Sequence, residues 1–236
     1  MTNTTKPANR LLAALPANEY ARLLPKLEEI PLIYTKILHE PKDIIHHVYF
    51  PNSGIISLLS VVGEHSLLEV GIVGNEGFIG VPIFLGVKKS NTRALVQGAG
   101  VALQMKTADF LAECNHGGAL SRILQLYTHS LMTQISQSAA CNRFHIIETR
   151  LARWLLMTSD RMESDNFQIT QEFLSSMLGV RREGVNKSAK NIQRNGLISY
   201  SRGNLEILNR KGLEAIACSC YTIIKEEEIQ HLPPNL

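Results

Sequence analysis

The segment covering residues 168–212 constrains the fold more than any other part of the chain. Its apolar spacing predicts a short helix that ends at Gly179, where a sharp turn is possible because glycine tolerates a positive φ. A second helix is predicted to begin at Arg181 or Arg182 and to end at Gly196. Two short strands follow. A helix, a tight turn, a second helix and a hairpin are typical of a winged helix-turn-helix domain.

The charge of this segment supports contact with DNA. Its eight basic and three acidic residues give a local net charge of +5, whereas the whole chain carries only +3. Most of the basic residues fall on the second helix and the hairpin, the surfaces that face phosphates in such domains. A solvated charged face is the alternative interpretation. Because the charge coincides with the helix-turn-helix pattern, we predict DNA binding. The basic residues are Arg181, Arg182, Lys187, Lys190, Arg194, Arg202, Arg210 and Lys211.

Composition excludes several other classes of protein. Hydrophobic residues make up 44% of the chain and charged residues 19%, as in an ordinary globular protein. No uninterrupted apolar run predicts a membrane span, and no secretory signal is recognised, so a cytoplasmic protein is expected. The cysteines are too few, and their spacing too irregular, to predict a disulfide scaffold or a structural zinc site. No metal and no cofactor is predicted, and Cys218 and Cys220 are expected to be buried apolar cysteines rather than a redox pair.

The N-terminal half predicts an α+β fold. Two short helices separated by Pro16 are expected first, with Asn18 as a possible cap of the second. From about residue 30 to Thr107, short apolar runs alternate with turn residues, which indicates an antiparallel β-roll or barrel. The predicted units are a sensor roll over residues 1–117, a dimerisation helix and hinge over 118–145, and the winged helix over 146–236.

The long helix after Gly118 carries a regular apolar stripe. Its members recur at steps of four, three, four and four, which is typical of a seam between two helices. Packing of the same stripe against the chain's own roll is the alternative. We predict a homodimer whose interface contains Leu120, Leu124, Tyr127, Leu131 and Ile135.

The segment ITQEFLSSMLGVRREGVNKSAKNIQRNGLI resembles the DNA-binding domain of the Crp/Fnr family of bacterial transcription regulators. In that family an Arg-Glu pair opens the recognition helix and is followed by Val and a basic residue, here Arg182, Glu183, Val185 and Lys187. The resemblance extends over nearly the whole chain, as a sensor roll of cyclic-nucleotide-binding type, a dimer helix and a winged helix. It implies a homodimer on a palindromic operator, with RNA polymerase as a further possible partner.

Chemistry suggests how the recognition helix would read DNA. Arg182 can donate two hydrogen bonds to guanine O6 and N7, and Glu183 can accept one from cytosine N4. Lys187 lies about one turn further on, within reach of a base or a phosphate. The alternative role for Glu183 is an ion pair with Lys187 at the i,i+4 spacing.

Three more basic residues are predicted to contact DNA: Arg181, Lys190 and Arg202. Arg181 departs from the small polar residue often found there in the family and is expected to bind a phosphate. Gly184 departs from the common Thr or Ser, which removes a side-chain contact and lowers helix propensity.

The expected effector pocket lacks groups that cyclic AMP needs. The family pattern near Phe-Ile-Gly-Glu-Leu reads here Phe78–Pro82. Val81 cannot accept a hydrogen bond from a ribose, and Pro82 has no backbone N–H. The candidate pocket residues are Gly80, Val81, Arg93, Ile135 and Ser136. We expect no cyclic AMP control, and either a more apolar effector or none.

The sequence lacks the residues expected of an iron–sulfur sensor, a haem sensor or a cupin-like enzyme. The chain has no N-terminal cysteine cluster for an iron–sulfur sensor and no histidine pair on one helix face for haem. An enzyme on a cupin-like roll would need a histidine cluster, but His46 and His47 are adjacent and point to opposite faces of a strand. The remaining alternative is a small-molecule or redox-sensing module whose helix-turn-helix serves protein interaction.

Overall fold

The computed structural model describes residues 7–63 and 66–232. It begins with two short helices, α1 (Arg10–Ala13) and α2 (Ala17–Leu23), followed by a 3-10 turn. Asn9 caps α1, because its side chain accepts a hydrogen bond from the Leu12 N–H at 3.2 Å. The prediction that Asn18 caps α2 is wrong, since the helix already begins at Ala17, directly after Pro16.

The N-terminal half is an antiparallel β-roll, as predicted. One sheet has the order β1-β7-β3 and the other the order β2-β6-β4-β5. A short helix, α3 (Val81–Phe84), precedes β6, and α4 (Thr107–Asn115) follows β7. The strands are β1 (Glu28–Leu32), β2 (Ile37–His39), β3 (His47–Pro51), β4 (Ile55–Val62), β5 (Ser66–Val73), β6 (Arg93–Gly98) and β7 (Gly100–Lys106).

The long helix α5 (Ala119–Phe144) packs on this roll with the stripe that was predicted to join two copies. Its predicted seam residues lie in the roll's core, four of them buried and Ile135 partly buried. The contact is close enough that a Cβ on Gly77 would come within 2.4 Å of the Tyr127 ring. Intramolecular packing therefore explains the spacing, and the assignment of Leu120, Leu124, Tyr127, Leu131 and Ile135 to a dimer interface is corrected.

The C-terminal part contains the predicted helix-turn-helix and wing. A three-stranded sheet of order β8-β10-β9 closes it. Its elements in chain order are α6 (Ile147–Met162), β8 (Asn166–Gln168), α7 (Gln171–Leu178), α8 (Arg182–Arg194), β9 (Ile198–Ser201), β10 (Asn204–Ile207), α9 (Arg210–Ile216) and α10 (Cys220–His231). The linker predicted near residues 141–145 is mostly helical, because α5 continues to Phe144.

The roll and the winged helix share one hydrophobic core. Ile55, Leu59 and Ile72 of the roll lie in the same cluster as Leu155 of α6 and Leu174 of α7. Burying apolar area contributes roughly 25 cal/mol per Å², so a core common to both parts stabilises their contact as well as each part. No helix in the described ranges 7–63 and 66–232 is long and apolar enough to cross a membrane.

A buried cation joins three separate elements. Arg161 of α6 donates from Nε to Glu76 at 2.8 Å and from Nη2 to Glu228 of α10. Burial opposes its charge, but Glu228 and Glu76 together outweigh that effect and raise the pKa of Arg161. Glu76 belongs to the loop after β5, so this network holds the roll, α6 and α10 together.

A buried acid lies on the same boundary. The Trp154 Nε1–H of α6 donates to Glu69 of β5 at 2.8 Å. Burial raises the pKa of Glu69 to about 7, against the effect of that hydrogen bond. The carboxyl group is therefore largely protonated at mildly acidic pH.

Replacing Arg161 should destabilise the whole chain. Arg161→Met leaves Glu76 and Glu228 buried without the guanidinium that both bind, although Arg10 still attracts both carboxylates, so we expect the free energy of unfolding to fall by about 3–5 kcal/mol in urea denaturation. Arg122→Met, on the exposed side of α5, is the matched control and should change it by no more than about 0.5 kcal/mol. Adding Glu76→Gln and Glu228→Gln to Arg161→Met should restore part of the loss. Equal stability of Arg161→Met and the control would contradict this role.

Candidate nucleic-acid interface and sensor cavity

The turn between α7 and α8 is set by its sequence. Thr170 caps α7, since its Oγ1 accepts from the Phe173 N–H at 3.1 Å. Gly179 ends the helix with φ at 62°, a conformation that favours glycine. A Cβ there would also come within 2.8 Å of Leu68 in β5. The turn that sets the orientation of α8 therefore packs directly against the roll.

Helix α8 has one buried face and one charged face. The buried face is the predicted one, formed by Val185, Ala189 and Ile192. The Asn191 amide donates to Glu148 of α6 at 3.0 Å and fixes the helix further along. The opposite face carries exposed side chains at steps of four, three and four: Glu183, Lys187, Lys190 and Arg194.

The start of α8 presents the residues expected to read bases. Arg181 stands at the N-cap position, and Arg182 and Glu183 are the first two helical residues; all three are exposed. The alternative role for Glu183 was an ion pair with Lys187. Within the described residues, no such ion pair forms. The presence of glycine at position 184 is explained by local packing, because a Cβ there would lie 2.7 Å from the Ile147 side chain of α6.

The wing is a tight hairpin between β9 and β10. Asn204 pairs with Ser201, so Arg202 and Gly203 form a two-residue turn, with φ at 51° and 84°. Positive φ at both positions is typical of the turn that matches strand twist. The Tyr200 hydroxyl donates to the Ile169 carbonyl at 2.8 Å and anchors the hairpin to the segment before α7. Arg202 is thereby held at the exposed tip.

Comparison with known proteins agrees with this geometry. Residues 149–216 match the family model of the Crp-like helix-turn-helix domain. No protein with curated annotation matches the sequence. The resemblance to the Crp/Fnr family is confirmed. The Crp-like domain contains α6 through α9, and it is a DNA-binding domain of transcription regulators.

Solved structures of Crp/Fnr regulators share the fold across most of the chain. A regulator assigned to that family from Eubacterium rectale is 14% identical, with a TM-score of 0.69 over 89% of this chain and 98% of its own. CLP of Xanthomonas campestris, a c-di-GMP-responsive global regulator, is 16% identical, with a TM-score of 0.65 over 81% and 99%. FixK2 of Bradyrhizobium japonicum is 11% identical, with a TM-score of 0.67 over 81% and 98%. At these identities the likeness establishes the fold.

The roll holds a small apolar cavity. Its volume is about 150 Å³, and α3, the strands and α5 enclose it. Gly80, Val81 and Ile135 line it as predicted, together with the buried His39. Neither ring nitrogen of His39 has a hydrogen-bond partner among the described residues, and burial lowers the pKa of this histidine. The cavity thus offers a mostly apolar wall, one neutral imidazole, and the hydroxyls of Ser90 and Thr92, which hydrogen-bond to each other at 3.0 Å.

Two predicted pocket residues lie elsewhere. Arg93 donates from Nε to Glu40 at 2.7 Å and does not line the cavity. Ser136 is exposed on the outer side of α5. A cyclic phosphate at this cavity would therefore lack the arginine that the resemblance implies, because Glu40 already neutralises it.

The structure also brings together residues that the sequence analysis had separated. Cys141, Cys218 and Cys220 form a buried cluster of their own, apart from both hydrophobic cores. Cys141 Sγ lies 3.4 Å from Cys218 Sγ, and Cys220 Sγ lies 3.6 Å from His145 Nδ1. The hydrogen bond from the Cys141 thiol, with help from Arg153, lowers the pKa of Cys218 to about 5. The available signal was the spacing of Cys141 and His145, which places them one helical turn apart.

Proposed function

We propose that the chain is a Crp/Fnr-type transcription regulator that acts as a homodimer on a palindromic operator and is not controlled by cyclic AMP. The observation that carries this proposal is the exposed basic face of α8, a helix that follows the Thr170-capped α7 directly after the turn at Gly179. The proposed units are the roll over residues 1–117, the dimer helix and hinge over 118–145, and the winged helix over 146–236.

The first turn of α8 is proposed to enter the major groove. Arg182 would donate to guanine O6 and N7, and Glu183 would accept from cytosine N4, because these are the groups that distinguish bases there. Arg181, Lys187 and Lys190 flank this turn. Together with Arg202 at the tip of the wing, they would neutralise phosphates and set the register of the protein on the duplex.

Two residues of α8 should affect DNA binding differently, Arg182 through sequence specificity and Lys190 through affinity for any duplex. Arg182→Ala should cost about 1–3 kcal/mol at one base pair and relax the preference there. Lys190→Ala should weaken binding to every duplex alike and reduce the salt slope by about one unit. Fluorescence anisotropy on duplexes selected from a random pool measures both, with Lys36→Ala, on the roll, as a control that should bind like the unaltered protein. Uniformly weaker binding by Arg182→Ala would identify it as a phosphate contact.

Dimerisation is proposed through the outer face of α5. The inner stripe is occupied by the roll, but exposed residues also recur on the outer side at steps of four, three, four, three and four. This spacing matches a parallel helix pair, and small side chains on it allow close approach. The face consists of Gln125, His129, Met132, Ser136, Ala139 and Arg143. Two copies related by a twofold axis would place their α8 helices on half-sites one helical turn apart.

Negative charges introduced on this outer face should dissociate the proposed dimer. Met132→Glu combined with Ala139→Glu puts like charges opposite each other, so we expect monomers in multi-angle light scattering and weaker binding to a palindrome. Ala112→Glu, at an exposed position of α4, should stay dimeric. Dimers that persist in the doubly substituted protein would exclude this face. Substitution of Leu124 or Leu131 would not test it, because both are core residues.

The cavity argues against a cyclic nucleotide effector. Pockets for drug-sized ligands have volumes of about 300–1,000 Å³, which is at least twice the volume observed. Val81, Pro82 and Ile135 leave the ribose and the base without partners, and burying an unpaired polar group costs about 1–3 kcal/mol. A compact apolar effector that accepts or donates one hydrogen bond at His39 fits better.

Isothermal titration with cyclic AMP and cyclic GMP should therefore show no binding in the micromolar range. Several unpaired groups would together shift a micromolar dissociation constant to about millimolar or weaker. A dissociation constant in the low micromolar range that is lost in Arg93→Ala but retained in Lys36→Ala would overturn this part of the proposal. It would mean that Arg93 leaves Glu40 to bind the phosphate.

A further inference from the structure

Four metal-binding side chains meet at the base of the winged helix. Cys141 lies in the last turn of α5, and His145 follows that helix directly. Cys218 and Cys220 lie 77 and 79 residues beyond Cys141, at the connection from α9 to α10. The ligand atoms of all four lie within 4.8 Å of one another. This convergence comes from the tertiary fold, since the two pairs belong to distant parts of the sequence.

The distances suit a single tetrahedral ion. Zinc lies about 2.3 Å from cysteine sulfur and about 2.0–2.1 Å from histidine nitrogen, so ligand atoms around it are about 3.5–3.8 Å apart. The measured separations are 3.4 Å between Cys141 and Cys218 and 3.6 Å between Cys220 and His145. The sulfur atoms of Cys141 and Cys218 are not bonded, because a disulfide would bring them to about 2.05 Å.

The surroundings suit a negatively charged metal centre. Three thiolates and one neutral imidazole around a divalent ion carry one net negative charge. Arg150 and Arg153 of α6 are both buried and interact electrostatically with the cysteines. The Nε atom of each arginine has no hydrogen-bond partner among the described residues. Arg150 also donates to Asn142 at 2.6 Å, next to Cys141. Arg150 and Arg153 therefore place two buried positive charges next to the cysteines, which suits a centre with a net negative charge.

We propose that Cys141, His145, Cys218 and Cys220 bind one zinc ion that fastens the end of α5 to the start of α10. Thiolate and imidazole ligands select zinc over magnesium or calcium, and four protein ligands with no open position are typical of a structural site. The Crp-like domain begins after His145 and ends before Cys218. The ion therefore closes a loop that contains this domain and fixes both of its ends to the long helix.

Metal content and ligand type test the site on the unaltered full-length protein. Reduced protein loaded with zinc and freed of excess should contain one ion per chain by native mass spectrometry. Cobalt in place of zinc should give the thiolate charge-transfer band and the intense visible bands of a tetrahedral sulfur-rich site. These readouts need no variant to fold. Reduced protein that binds no ion and keeps three reactive thiols would overturn the proposal, and so would a Cys141–Cys218 disulfide that forms in place of metal binding.

Variants then assign the ligands. Cys218→Ser should weaken cobalt binding by more than about tenfold. Loss of a group that only hydrogen-bonds to a metal ligand already weakens binding by about that factor, and Cys218 is proposed to bind the metal directly. His145→Cys should retain the ion and shift the spectrum towards four sulfur ligands. Cys114→Ser, on α4 outside the cluster, is the matched control and should bind like the unaltered protein. Equal binding by Cys218→Ser and Cys114→Ser would contradict the assignment.

The consequence for DNA rests on the proposed function. If the ion fixes the winged helix to α5, its removal by a chelator should speed hydrogen exchange at the start of α10 and weaken operator binding, while the sheets of the roll stay protected. The two proposals fail separately. Protein that binds zinc but no DNA contradicts the regulator function, and protein that binds DNA equally with and without chelator, and holds no zinc, contradicts the metal site.

Discussion

The arrangement of the two halves depends on one buried ionic network. Arg161 is the cation that bonds both carboxylates, Glu76 of the roll and Glu228 of α10, and Arg10 adds a further positive charge close to them. Charges removed from water are costly unless each finds its partner, so this network tolerates only the docking in which all three elements meet. The shared hydrophobic core stabilises the contact between the two halves but is compatible with more than one orientation. The ionic network requires one orientation, and it thereby fixes where α6 lies and which face of α7 and α8 is exposed.

The winged helix could be predicted from the sequence because its determinants are local. Thr170 as a cap, Gly179 as a left-handed turn and the spacing of Val185, Ala189 and Ile192 each act within a few residues. The exposed basic face of α8 followed from the same spacing. The antiparallel roll was predicted from alternating runs and turn residues, although the pairing order of its strands required the structure.

The predictions that failed concern partners distant in the chain. An apolar stripe on α5 shows that one face is buried but not what buries it, and here the roll covers Leu124 and Leu131. Arg93 was assigned to the pocket by its position in the chain, yet Glu40 holds it outside. The cysteine cluster was missed for the same reason, because no local pattern indicates that residues 141–145 meet residues 218–220.

Burial of the Glu69 carboxyl group makes the boundary between the two halves sensitive to pH. An acid whose pKa is raised from 4.5 in the unfolded chain to about 7 takes up a proton on folding between these values. Its contribution to stability is complete below the lower value and is lost as the pH rises through the higher one. A rise in pH across neutrality therefore lowers the stability of the folded chain, because a charged carboxylate then lies buried between the roll and α6, whereas acidification removes that cost.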